Sequence, residues 1–409
     1  MGECRKKEAI VVIGTREKNH ELQIVKTLGL PIILLNTTVD LEDALEVEYP
    51  IEINLNDEES VIQKLEELST FYELKLIFTL NEYRIITAAK ISQELNVPFN
   101  LSYQAAVNCR QKKNTRKILN EFGIGNVKMN LVQEVGQLPD VLESIVFPVI
   151  VKPSNEAGSH LVQKCHTEEE LYEAVRKIKE RSTNWVGQQL DDDILIEEFI
   201  VGPEFSVESC TINGETRIIA ITEKIVTDDN FFVEVGHVVP ARLATEDELQ
   251  IRNMIPLVLQ ALGVTDGITH TEVKVTTEGP KVIEVNARPG GDRIPNLVRA
   301  VTGYDLFELA FHISCGGSID HLPRHDIVAH SAGIQFILAE KEGRFRVSKA
   351  TLESSEVEEY HLQVDPDEEV FTTDSNYNRL GYFICYGDER EHAVQRLKNV
   401  YEQSNIMVF

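Results

Sequence analysis

The chain has 409 residues, of which 42% are hydrophobic and 26% charged, a composition that excludes disorder, collagen and a disulfide-dense miniprotein. The length accommodates two or three packed domains of roughly 100–200 residues each. Forty basic against 67 acidic side chains give a formal charge of −27, which argues against a nucleic-acid partner and favours solubility.

The longest apolar runs, such as Ile145–Val151, are far shorter than the ~20 residues that span a bilayer, so no membrane partner is expected. The opening MGECRKKEAIVVIG has no small-residue cleavage site and reads as a first strand rather than a signal peptide. The six cysteines (Cys4, Cys109, Cys165, Cys210, Cys315 and Cys385) are nowhere closer than 45 positions. No C-x-x-C redox or zinc pair exists, and a reduced cytoplasm is the expected compartment.

Over the first hundred residues short apolar runs alternate with amphipathic stretches. Ala9–Gly14 predicts a strand, Asn19–Leu28 a helix, Pro31–Leu35 a strand, Glu58–Ser69 a helix, Leu76–Thr79 a strand and Ile85–Leu95 a helix, with VPFN a short strand entry. That alternation predicts a parallel α/β layer. Its first strand–helix junction, GTREKNHE, lacks G-x-G-x-x-G, so no dinucleotide site is expected there. A basic helix follows over Arg110–Phe122, then strands at Lys128–Glu134, Val146–Lys152 and LVQKC. Thr167–Arg181 predicts a helix, and Asn184–Asp193 a polar loop. Ile194–Phe199 and Phe205–Ile212 predict strands, and Asn213-Gly214 signals a hairpin into Thr216–Thr222. Glu246–Leu262 predicts a helix, before strands Gly267–Thr276 and Lys281–Val285 joined by a turn at Glu278-Gly279. The end of the chain is strand-rich and closes on a helix, Glu389–Ser404. The Gly/Pro clusters near Gly316–Pro323 mark a late boundary.

Three segments carry chemistry. In VIVKPSNEAGSH, Lys152 ends an apolar strand and a loop of small residues follows. An ammonium beside the backbone N–H groups of Ser154–Ser159 suits phosphate oxygens, and Ala157 and Gly158 permit close approach; a solvated edge lysine would look the same. In ILIEEFIVGPEFSVE, acids end a strand, and Glu204 follows a Gly202-Pro203 turn. A strand-end backbone can meet a base edge and a carboxylate a ribose, although a solvent-facing hairpin reads equally. In THTEVKVTTEGPKVIEVNARPGGD, Glu284, Asn286 and Arg288 recur every second residue and so share one face, opposite Glu272. Three polar groups there are costly unless they bind something. Two carboxylates and an amide oxygen make a hard-oxygen Mg²⁺ site.

In this order the segments resemble the ATP-grasp ligases over about residues 108–315, the lysine of CRQKKNTR completing the set. The resemblance implies an α/β ATP-grasp fold with a parallel α/β N-terminal domain (1–107), a small ATP-binding lid (108–200), a large subdomain with the metal hairpin (201–325) and a mixed α/β C-terminal cap (326–409). It implies that Lys112 (or its neighbour Lys113) and Lys152 contact ATP phosphates, with Ser154, Ala157, Gly158 and Ser159 around them. Glu197 with the Glu198–Phe199 backbone would hold adenine, and Glu204 ribose. Glu272 and Glu284, assisted by Asn286, would hold Mg²⁺, with Mn²⁺ an alternative. Arg288 would be catalytic with Lys152, stabilising an acyl phosphate and the tetrahedral intermediate.

The finer resemblance is to bacterial L-amino acid ligases, the dipeptide synthetases, carried by VEVGHVVPARL, ARPGGD and RLGYFICYGDEREHAVQRL. It implies amino-acid substrates met by Glu82, His237, Arg288, Gly290 and Gly291, formation of dipeptide, ADP and phosphate, and a homodimer by family habit. His270 and Thr271 are expected to support the metal hairpin, Asp191–Asp193 to be a solvated loop, and Trp185 to belong to a mobile lid. The alternatives are a ligase whose acceptor is a carrier protein or a specialised biosynthetic amine, a bicarbonate-using carboxylase, and a non-catalytic ATP-binding module.

Overall fold

The computed structural model describes residues 6–16, 18–227 and 232–409. Cys4 and the first residues of the segment read against a signal peptide lie outside the described residues.

Four parallel strands open the fold in the order Tyr49–Glu52, Ile32–Asn36, Lys7–Ile13, Tyr72–Phe78. Lys7–Ile13 is buried from Ala9 onward because both sheet faces are covered. Ile10 and Val12 pack with Leu22 and the Phe307–Phe311 helix surface, whereas Val11 and Ile13 pack with Val61, Leu65, Ala88 and Ile91. The strand expected at VPFN does not form. Pro98 has no N–H for a ladder, and its carbonyl alone accepts from Ile77, at 2.9 Å.

The single basic helix expected over Arg110–Phe122 is two, Tyr103–Arg110 and Lys112–Phe122, broken where Gln111 is extended (φ −90°, ψ 104°). The break is held from both sides: the Lys112 N–H donates to the Ser154 carbonyl (3.0 Å) and the Thr115 hydroxyl to that of Asn108 (2.6 Å). It delivers Arg110 and Lys112 to one loop.

A four-stranded antiparallel sheet orders Met129–Val132, Ile194–Glu198, Val149–Pro153, Gln163–Cys165. The helix Glu168–Lys179 covers it. Thr167 caps that helix at the Glu170 N–H, three glutamates occupy its first turn and bases its last, each arrangement favourable to the helix dipole. This unit has its own core around Val149, Val151, Leu171, Val175 and Ile196.

An eight-stranded sheet runs Gly279–Asn286, Gly267–Thr276, Glu204–Ile212, Glu215–Val226, Glu234–Val239, Ser331–Ile337, Gly381–Gly387, Glu359–Leu362, every neighbour antiparallel. It therefore crosses position 325/326. The hairpin at Asn213-Gly214 forms with both residues left-handed (φ 52° and 79°), as a two-residue primed turn requires. The next hairpin turns one residue earlier than expected. Thr276 pairs with Gly279, so Thr277 and Glu278 make the turn, and Gly279 (φ 102°) starts the return strand. Among the described residues no helix is long and apolar enough to cross a membrane.

Candidate active site

Glu272 and Glu284 face each other across the hairpin, paired in register on adjacent strands. Each already touches an ammonium. Lys112 donates to Glu284 Oε1 at 3.0 Å and to the Glu156 carbonyl at 2.7 Å, and Lys224 donates to Glu272 Oε1 at 2.7 Å. Lys224 also reaches Glu204 (2.9 Å) and Glu234 (3.1 Å). Burial would raise the Glu272 carboxyl, but Lys224 and His270 override it and hold it well below the usual range. Both carboxylates are thus fixed beside positive charge, a donor set that fits a hard divalent cation.

Arg288 does not share the strand face. The strand ends at Asn286, and Arg288 lies beyond it, its Nε donating to Glu82 Oε2 at 2.5 Å. Arg110 supports the other Glu82 oxygen at 3.3 Å. In the orientation that satisfies its neighbours, the Asn286 amide donates to Glu284 (3.0 Å) and Glu82 (3.3 Å). Glu82, Asn286, Glu284 and Lys112 therefore form one continuous chain. Burial would lower the Arg288 guanidinium, yet Glu82 keeps it firmly protonated.

Behind the hairpin, Glu208, fully buried, meets His270 Nδ1 at 2.6 Å, and His270 Nε2 lies 3.3 Å from Glu272. The imidazole therefore links the two carboxylates. A Cβ at Gly290 would lie 2.7 Å from His270 Nδ1, so that loop position needs glycine for close approach.

Two cavities meet here. One, about 880 Å³ of empty space counting its open mouth, is apolar on one side (Ile150, Val162, Phe199, Ile200, Val226, Phe232) and charged on the other. Of the residues expected to bind nucleotide, Lys112, Lys152, Ala157, Gly158, Ser159, Glu197, Glu198, Phe199 and Glu204 all line it. Ser154 does not. It is fully buried and spent on the start of the Lys112 helix. Lys112 lines the cavity, whereas Lys113 is turned away onto Asp191 (2.6 Å) and Asp193 (2.7 Å). Those two aspartates are accordingly ion-paired, not simply solvated.

The Glu197 carboxylate is also occupied: Arg116 donates to it at 2.8 Å and Lys152 at 2.7 Å. Burial would raise its carboxyl, but those two cations hold it at about 2. Burial also lowers the Lys152 ammonium, which Glu197 partly restores. Glu197 thus positions Lys152, and only its backbone is left for a base.

The second cavity, a cleft of about 1710 Å³, is polar, with Glu82, Asn286, Arg288 and Gly291 on its wall. Ala157, Gly158, Ser159, Glu234, Glu272 and Glu284 line both cavities and form their seam. His237 lines neither; it is fully buried behind Glu234, its Nε2 2.9 Å from Glu234 Oε2. Gly290 is also off both walls, and its carbonyl accepts from Arg16 at 2.7 Å.

Sequence reasoning missed Lys224, Glu234, Glu156 and the far wall of the cleft: Arg16, Asp292, Gln363, Asn376, Tyr377 and Arg379. Glu234 sits three residues before His237, so its segment was flagged although the residue was not. Glu156 organises the phosphate-side loop, accepting from the Tyr83 hydroxyl (3.0 Å) and the Trp185 N–H (3.2 Å). Trp185 stacks on Tyr377 with ring centroids 5.3 Å apart and planes within 2°.

The profile of the ATP-grasp domain matches residues 145–296, and that of the L-amino acid ligase C-terminal domain 2 matches residues 335–406. Residues 145–296 thus match an ATP-grasp domain. Residues 335–406 are similar to the second C-terminal domain of L-amino acid ligases. Alanine–anticapsin ligase of Bacillus subtilis (strain 168) is 27% identical over 301 residues, covering 69% of this chain and 63% of that ligase. Dapdiamide A synthase of Enterobacter agglomerans is 24% identical over 284 residues, 68% of this chain and 66% of that enzyme. The crystal structure of L-amino acid ligase from Bacillus licheniformis superposes with a TM-score of 0.83 over 99% of this chain and all of that one, at 24% identity, a likeness of fold.

Proposed function

We propose that the protein joins the carboxylate of one L-amino acid to the amine of a second, driven by ATP, and releases dipeptide, ADP and phosphate. The observation that carries this reading is the seam: a cavity with one apolar side and a polar cleft share a wall that carries Glu272 and Glu284, with cations on either side. A phosphoryl group presented from the first cavity meets a carboxylate lying in the second. In this reading residues 1–107 form the N-terminal domain, 108–200 the lid, 201–325 the large subdomain and 326–409 the cap, and the enzyme works in the cytoplasm.

Adenine would lie among Phe199, Ile200 and Phe232 against the Glu198–Phe199 backbone, ribose near Glu204, and the phosphates near Lys112, Lys152 and the loop Ala157–Ser159. Glu272 and Glu284, with Asn286, would hold Mg²⁺ or Mn²⁺, which supplies neutralisation of the transferring group. A carboxylate is a poor electrophile, so the donor becomes an acyl phosphate. Lys112 and Lys152 neutralise charge on the group in flight. Arg288, locked by Glu82, then stabilises the oxyanion formed when the amine attacks, a contact of a kind worth about 3–4 kcal/mol. The relatives' names, alanine–anticapsin ligase and dapdiamide A synthase, support an amino-acid ligase.

Hydroxylamine, offered in place of the second amine with a pool of L-amino acids and ATP, should be captured as an amino-acid hydroxamate with one ADP formed per hydroxamate. Release of AMP and pyrophosphate would mean an adenylate, and the acyl-phosphate reading would be lost.

A further inference from the structure

The far wall of the cleft is built around charge that the proposed chemistry does not use. Arg379, almost fully buried, donates both Nη groups to Asp292 (2.9 and 2.5 Å). Its Nη1 also reaches the Glu234 carbonyl (3.4 Å), and its face lies 3.6 Å from the Phe336 ring centroid. Its fork and its flat face are thus both spent. The other cations of the cleft are likewise turned to protein: Arg16 to the Pro289 and Gly290 carbonyls, and Arg288 to Glu82.

Asp292 is the more open half of its pair, its side chain 23% exposed against 9% for Arg379. A carboxylate offers about four lone-pair sites, and Arg379 takes two. Beside it stands Glu234, whose oxygens meet Lys224 and His237, and the ligand atoms of Glu234, His237 and Asp292 lie within 4.8 Å of one another. His237 is fully buried and aimed at this pair. Its Nε2 is 2.9 Å from Glu234 and 3.8 Å from Asp292 but poorly aligned for hydrogen bonding to either, and Nδ1 has no protein partner. Asp292 and Arg293 both hold left-handed backbone (φ 53° and 63°).

A buried ion pair is a poor choice for lining an aliphatic pocket, where apolar residues cost less. With the cations committed and carboxylate oxygens in surplus, the wall suits a donor carrying one positive charge. A divalent ion is less suited, because Arg379 and Lys224 already neutralise much of the acidity.

We infer that Asp292, backed by Arg379 and flanked by Glu234, is the specificity-determining residue of the cleft and selects an amino acid with a basic side chain, of the lysine or arginine type. The inference rests on the proposed ligase reading only in placing an amino acid in the cleft, and its test does not need turnover.

The test is calorimetric titration of the whole protein, with ADP and Mg²⁺ present, against L-lysine, L-norleucine, L-arginine and L-citrulline. The basic member of each pair is expected to bind at least about tenfold more tightly, near 1.4 kcal/mol, and Asp292→Asn to abolish that preference. Norleucine and citrulline binding as well as their basic partners, no binding by any of the four, or a preference that survives in Asp292→Asn would each overturn the inference. The wild-type comparison alone decides should the variant not fold. Failure of the ligase reading shows separately, as absence of ADP formation with any amino acids.

Discussion

Lys112 carries its charge to the seam of the two cavities from a nearly dry site, with only a carbonyl and the Glu284 carboxylate to receive it. An ammonium so held cannot be replaced by solvent, so Lys112→Ala should lower kcat/KM by about 10²–10³-fold. Lys113→Ala should leave kcat/KM within about threefold and cost only stability, since its aspartate pair is partly exposed. Steady-state kinetics on both variants checks this. Glu284→Gln should abolish turnover, and full activity in that variant would remove the metal assignment.

Glu197 makes a prediction in pH. Its carboxyl sits at about 2 in the fold against an ordinary 4.5. The stability it contributes, about 3 kcal/mol as an order of magnitude, is therefore present above pH 4.5 and lost as pH falls toward 2. Glu197→Gln should be destabilised at neutral pH, because Arg116 and Lys152 are left buried without their partner, and should lose less further stability on acidification. Denaturant melts at pH 7 and pH 3 measure both slopes; parallel losses in the two proteins would contradict the assignment. Much of this was legible in the sequence, because the carriers of charge sit at strand ends and in a two-residue repeat. The choice between Lys112 and Lys113 was not, since it depends on the break at Gln111, which is set by a contact with Ser154 far along the chain.

At the scale of elements, the loop 156–160 is held by three different parts of the molecule. Tyr83 and Trp185 bind Glu156, and a Cβ at Gly158 (φ +66°) would lie 2.3 Å from the Tyr377 hydroxyl. The segments carrying Trp185 and Tyr377 therefore meet beside this loop, through the Trp185–Tyr377 stack. Tyr377→Ala should raise the KM for ATP about three- to tenfold with a smaller effect on kcat, and should shift the emission of Trp185, the sole tryptophan, to the red. An unchanged spectrum would mean that the stack is not kept in solution. Strands and helices were foreseen where hydrophobic period was strong. VPFN failed because a proline cannot donate to a ladder, and the Thr277-Glu278 turn was misplaced by one residue because Gly279 serves the strand rather than the turn.

At the scale of the whole molecule, the far wall of the cleft comes from segments more than two hundred residues apart, from Arg16 to Arg379. No spacing rule brings those together. The eight-stranded sheet does, by running from the Glu272–Glu284 hairpin to the strands Gly381–Gly387 and Glu359–Leu362. This is why the nucleotide side could be read from ordered local segments while Lys224, Glu234 and the Asp292–Arg379 pair could not. It also means that the substrate side depends on the entire fold.

The central claim is that a carboxylate and an amine are joined at the seam. Its most direct test is a matrix of L-amino-acid pairs incubated with the protein, ATP and Mg²⁺, following ADP, phosphate and product mass together. The structure predicts equal amounts of ADP, phosphate and dipeptide for particular pairs, with a basic amino acid in the best of them. ATP bound but no dipeptide from any pair would contradict it, and the acceptor would then have to be something other than a free amino acid.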